Sequence, residues 1–108
     1  MLLAVNVDDI GYKEGRSSYS FYQCPSQIKT STEAVFGHFE GLCPGDQWFN
    51  GDHMIFVQVQ VPSLAVASER MSEFMRTAAH TSADIPEIID CEKIVEVAAA
   101  LTALARAL

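Results

Sequence analysis

The C-terminal end of the chain constrains the fold most. Ile88, Cys91, Ile94, Val95, Ala98, Leu101, Ala105 and Leu108 recur at three- and four-residue intervals, and Val97 and Leu104 widen the stripe. That spacing predicts a helix over about residues 86–107, apolar along one side. Asp84 caps it, Pro86 falls in the tolerant first turn, and Glu87 completes a capping box. Such a helix needs an apolar surface to lie on, so the rest of the chain is read for strands.

Residues 2–7, LLAVNV, are short, apolar and partly β-branched, and residues 17–23, SSYSFYQ, read as a second strand. Gly15 supplies the positive φ of a type II′ turn between them, and Gly11 marks a bend, which predicts a first hairpin. Cys24-Pro25 ends the second strand. Thr30 with Glu33 forms a capping box for a short helix carrying Val35, Phe36, Phe39 and Leu42, with Gly37 weakening its middle and Gly41 as C-cap. Asn50-Gly51 is the favoured pair for a type I′ turn, and from Met54 to Val61 side chains alternate in period two. A second hairpin is expected there. Pro62 stops it, and Ser63 caps a helix with Leu64, Ala67, Met71, Phe74, Met75 and Ala78 on one stripe. The expected architecture is α+β, ordered ββα-ββα-α. Two hairpins form an antiparallel sheet of about four strands, with three helices gathered on one face.

The 108 residues fit a single domain, 1–108, large enough to bury one core without disulfides or a metal. The last helix carries more apolar surface than a small sheet covers, so a homodimer through residues 86–108 is expected. No apolar run approaches the roughly 20 residues that span a bilayer. MLLAVNVDD lacks the basic head and long apolar stretch of a secretory signal, which makes the cytoplasm the expected location. Three cysteines, Cys24, Cys43 and Cys91, are an odd number and read as reduced thiols.

The formal charge of −7 argues against direct nucleic-acid binding and against docking on anionic lipid. Between Thr30 and Glu69 there is no Lys or Arg, while Glu33, Glu40, Asp46, Asp52 and Glu69 all fall there. A one-signed surface of this kind steers basic partners.

Catalytic motifs are absent: no GxxxxGK[ST], no GxGxxG and no GxSxG. Cys43, Asp52 and His53 do not have structural zinc spacing, and no metal or cofactor is expected. His38 reads as a surface residue, His80 as a cation at a helix C-terminus, and Cys91 as core. Asp8-Asp9 read as solvated acids at a strand end. GDQWFNGD differs in kind, because Trp48 and Phe49 are consecutive aromatics framed by Asp46 and Asp52. The expected function is a small, acidic, non-enzymatic protein-interaction module. It would act as a regulator or inhibitor on a basic surface of a protein partner, such as a nucleic-acid-handling complex, using Glu40, Asp46, Trp48, Phe49 and Asp52. One alternative is a small enzyme or ligand-binding domain with a pocket between sheet and helices, using Tyr12, Tyr22, His53 or Cys43. The other is a structural subunit of a larger assembly.

Overall fold

The computed structural model describes residues 3–12, 14–70 and 90–108. The elements run β1 (Ala4–Val7), β2 (Ser17–Tyr22), α1 (Ser26–Phe36), β3 (Leu42–Pro44), α2 (His53–Gln58), β4 (Ser63–Ser68) and α3 (Cys91–Ala107). Among the described residues this is an α+β arrangement of a four-stranded sheet and three helices, and no helix is long and apolar enough to cross a membrane. The expected cap at Asp84, Pro86, Glu87 and Ile88, the residues Met71, Phe74, Met75 and Ala78, and His80 lie outside the described residues.

The sheet is mixed, not the antiparallel pair of hairpins expected from sequence, and its order is β1-β4-β2-β3. β4 separates β1 from β2, pairing parallel with the first and antiparallel with the second. β3 pairs parallel with β2, a connection that needs a crossover, and α1 supplies it. The segment SLAVAS, expected to start a helix, is this central strand, and all six of its residues are buried. A strand covered on both faces carries small or apolar residues throughout and shows no alternation, so it does not advertise itself by period. Ser63 caps nothing; it is buried, and its hydroxyl donates to the Val61 carbonyl.

The expected strand after Asn50-Gly51 is instead α2. Neither Asn50 nor Gly51 takes a positive φ, so no type I′ turn forms. The helix closes with Gln60 in the left-handed region at φ 62°, Gln60 N–H donating to Val57 O at 3.0 Å and Val61 N–H to Phe56 O at 3.0 Å. These two bonds form a Schellman motif, which sequence reading misses because glycine is absent from the left-handed position. α1 likewise starts earlier than expected, directly after Pro25, and Thr30 lies within it and does not cap it. Gly37 ends α1 at its C-cap and does not interrupt it.

The core lies between one sheet face and two helices. Register places Val5, Val7, Leu64, Val66, Tyr19, Phe21 and Leu42 on that face. Tyr19, Leu42, Leu64 and Val66 pack with Phe36 of α1 and with Val97, Ala100 and Leu104 of α3. The Tyr19 and Phe36 rings meet edge to face at 4.9 Å. Asp90 caps α3 by accepting from Glu92 N–H at 3.0 Å, and its own N–H donates to Gly11 O at 2.7 Å. Lys93 Nζ donates to Tyr12 O and Gly15 O, which anchors α3 to the long connection between β1 and β2. α3 is rotated relative to the expected stripe: Val97, Ala100 and Leu104 point inward, while Cys91, Val95 and Ala98 are exposed.

Two substitutions on α3 check its phase. Leu104→Ala is expected to lower unfolding free energy by about 2–5 kcal/mol, and Val95→Ala by less than about 0.5 kcal/mol, in urea titrations. Gln60→Gly is expected to stabilise by about 0.5–1 kcal/mol because it relieves a left-handed side chain. In a strand the same change would weaken the protein.

Candidate partner-binding surface

The second sheet face carries Ala4, Asn6, Ser18, Ser20, Tyr22, Cys43, Ser63, Ala65 and Ala67, mostly small or polar. Across part of it runs the segment that joins β3 to α2. Tyr22 holds this segment in place. Its buried hydroxyl donates to Trp48 O at 2.9 Å and accepts from Trp48 N–H at 2.7 Å. With its single proton committed, it accepts from Ser20 Oγ at 2.9 Å.

Trp48 O also accepts from His53. The imidazole is 1% exposed, and its Nε2 lies 2.9 Å from that carbonyl, so Nε2 carries the proton. Nδ1 then accepts from the Asn6 amide at 3.1 Å. Both ring nitrogens are therefore satisfied. The ring lies 4.5 Å from Tyr22 and 4.5 Å from Trp48, and Phe49 stands edge-on to Tyr22 at 6.0 Å. Asn6, Ser20, Tyr22 and His53 were not joined by any spacing in the sequence, because three separate elements bring them together.

Fixing His53 inward fixes what α2 turns outward. At about 100° per residue, His53, Met54 and Val57 share the side toward the sheet, and Asp52, Ile55, Phe56 and Val59 share the other. Ile55 is 65% and Val59 67% exposed, and Phe49 just before the helix is 62% exposed. Asp46 and Asp52 are exposed, and among the described residues neither has a cation within ion-pair distance. The result is an apolar arc with acids at its margin and within it.

Four of the five residues singled out from sequence therefore lie in this segment. Asp46, Phe49 and Asp52 face solvent, while Trp48 is half-buried against His53. Glu40 lies before the opposite end of β3, exposed, beside a turn whose Gly41 N–H donates to Glu96. The other acids of the base-free stretch are differently placed. Glu69 accepts from Arg16 N–H at 2.8 Å and pairs with its guanidinium at 3.5 Å, contacts that hold its carboxyl below the usual range. Glu33 stands one turn after Lys29 on α1.

A cleft of about 350 Å³ adjoins the arc, lined by Ser18, Cys43, Asp46, Trp48, Ala67 and Glu69 among others. Cys43 is not poised as a nucleophile. Burial pushes its thiol up, the Glu69 carboxylate adds to this, and its proton is shared with Ser17 O and Glu69 at 3.6 Å. Burial also raises Cys24, which bonds to Ser63 O at 3.2 Å. Neither thiol reaches His53, whose nitrogens are taken. Among the described residues no group of three His, Cys, Asp or Glu side chains is arranged to hold a metal.

Gly51 is required by close approach. A Cβ there would meet Trp48 Cη2 at 2.6 Å and His53 Cε1 at 2.8 Å. Gly51→Ala is expected to cost about 1–3 kcal/mol by overpacking, read by thermal unfolding. Iodoacetamide is expected to label Cys43 in the folded protein only as pH rises beyond the ordinary thiol range, and Glu69→Gln to move labelling to lower pH. No protein-family model matches the chain, and no curated protein or solved structure matches it either.

Proposed function

We propose that this chain is a small acidic protein-interaction module that docks on a basic protein surface through Asp46, Phe49, Asp52, Ile55, Phe56 and Val59. The observation that carries this reading is the orientation of α2. A six-residue helix pinned from beneath by His53 holds two aliphatic side chains about two-thirds exposed. Exposed apolar side chains gathered on one surface, rimmed by polar groups, are characteristic of interaction sites.

Charge selects the partner. Among the described residues the acids at the arc have no cation within ion-pair distance, and the chain carries −7 overall, so a partner with Lys or Arg around an apolar centre is attracted and correctly oriented. The neighbouring cleft, with Asp46, Glu69 and Trp48 in its wall, suits a basic side chain inserted from that partner. A protein that handles nucleic acid presents such a surface, and occupation by this module would deny it to phosphate. Glu40 adds to the field from the far end of β3 without joining the contact. In this reading Phe49 and Ile55 anchor the contact, while Asp46 and Asp52 set rate and salt dependence.

The test is affinity capture from the source organism's extract with purified variants, followed by titration of the captured partner. Asp46→Asn with Asp52→Asn is expected to weaken binding up to about tenfold at low salt and much less at high salt. Phe49→Ala is expected to cost about 1–2 kcal/mol, or roughly 5–30-fold, at either salt. Binding that ignores all three substitutions would remove the proposal.

A further inference from the structure

We infer that the β1 edge is a self-association surface on which a second copy of this chain pairs its own β1, joining two sheets into one. The bonds Ala4 N–H to Pro62 O at 2.9 Å and Asp8 N–H to Val66 O at 3.0 Å fix the phase of β1 on β4. In a parallel ladder the even-numbered residues therefore face β4, and Val5 and Val7 turn their N–H and C=O groups away from it. β1 is the end strand, and among the described residues those outward groups have no partner.

The side chains agree with the backbone. Val5 is 44% and Val7 40% exposed on the helix-bearing face. Beside them an apolar cleft of about 370 Å³ is lined by Leu3, Val5, Leu101, Leu104, Ala105 and Leu108. Natural edge strands are protected by lysine, proline, a bulge or a covering element. Residues 3–7 contain no charged residue and no proline.

Charge identifies the occupant. On an acidic chain this edge is neutral, so it offers nothing to a basic partner and matches another neutral edge. In an antiparallel two-fold pairing, Val5 of one copy lies opposite Val7 of the other. Roughly four main-chain hydrogen bonds form, and directly opposite residues share a face. The four valines then cover one another between the two α3 C-terminal ends. Asp8 of each copy lies about 13 Å along the strand from its equivalent, beyond the roughly 8 Å screening length at physiological salt.

Sedimentation of the full chain at about 10–500 µM tests this by mass action. The expected result is a particle approaching twice 11.8 kDa at the upper end, with the dimer fraction rising from about 0.05 to about 0.5 M NaCl as repulsion between the acidic copies is screened. This salt dependence is opposite to that of the α2 arc with a basic partner, so the two readings fail separately. Val5→Lys with Val7→Lys is expected to leave only monomer, and Val95→Lys on the outer face of α3 to leave the dimer intact. Should the double variant not fold, hydrogen exchange of the unaltered chain decides, with Val5 and Val7 amides expected to slow as concentration rises. A monomer throughout the range, a dimer that survives Val5→Lys with Val7→Lys or is lost in Val95→Lys, or concentration-independent exchange at Val5 and Val7 would overturn the inference.

Discussion

The carbonyl of Trp48 is the point on which the second face of this protein depends. It accepts from a hydroxyl anchored in the sheet and from an imidazole at the start of α2. One backbone atom thus ties a long connection to a strand and sets the rotation of the helix that follows. Buried polar groups are costly when unmatched, and here Tyr22, His53, Ser20 and Asn6 are matched in a chain that admits one arrangement. The exposure of Ile55 and Val59 follows from that arrangement. Their burial would require withdrawing His53 from both of its partners.

Legibility in the sequence followed the covering of each element. β1 and β2 were readable because each is a short apolar or aromatic run ended by recognisable breakers. α3 is readable as a helix because it is covered on one side only, but its phase is not, because apolar residues such as Cys91, Ile94 and Val95 lie on its exposed side as well. β4 is unreadable as a strand because it lies beneath α1 and α3 on one face and the α2 segment on the other, so both faces are buried and no exposed polar face alternates with a core face. Asn50-Gly51 misled for a different reason. Its glycine is kept for the space beneath the Trp48 ring, and turn geometry has no part in it. With the Asn50-Gly51 turn misassigned, the β-branched residues after it were read as a strand, against the tertiary contacts that hold them in a helix. Of the candidate site, the aromatic pair and its flanking acids are visible in the sequence, and His53 is visible as a pocket residue, but its bonds to Asn6 and Trp48, which set the rotation of α2, are not.

Charge counted along the sequence and charge arranged in space also differ. The interval from Thr30 to Glu69 is one-signed as a string. In the fold, Arg16 from outside the interval reaches Glu69, and Lys29 stands one helical turn before Glu33. Among the described residues Glu33, Glu40, Asp46 and Asp52 form no ion pair, and of these Asp46 and Asp52 stand together beside the apolar arc. A smaller acidic patch beside apolar side chains is more selective than a uniform acidic wall, because apolar contact fixes registry where a diffuse field only attracts.

The apolar surplus of the chain is similarly relocated. Much of the outward side of α3 is Ala98, Ala99 and Thr102, which tolerate water and need no cover. Exposed larger side chains occur on β1 and on and around α2, besides Ile94 and Val95 of α3 and Leu108 at its C-cap. β1 and α2 differ in what else they present. α2 is closed at its C-terminal end by the Gln60 and Val61 bonds and has Asp46 and Asp52 near it, which under the proposed function lets it discriminate partners by charge and shape. Among the described residues the outward main-chain groups of Val5 and Val7 have no partner and residues 3–7 carry no charge, so in the pairing inferred above this edge discriminates by strand geometry alone. Under the two proposals one small fold holds two surfaces whose recognition rests on different physics, and occupation of one makes no demand on the groups that serve the other.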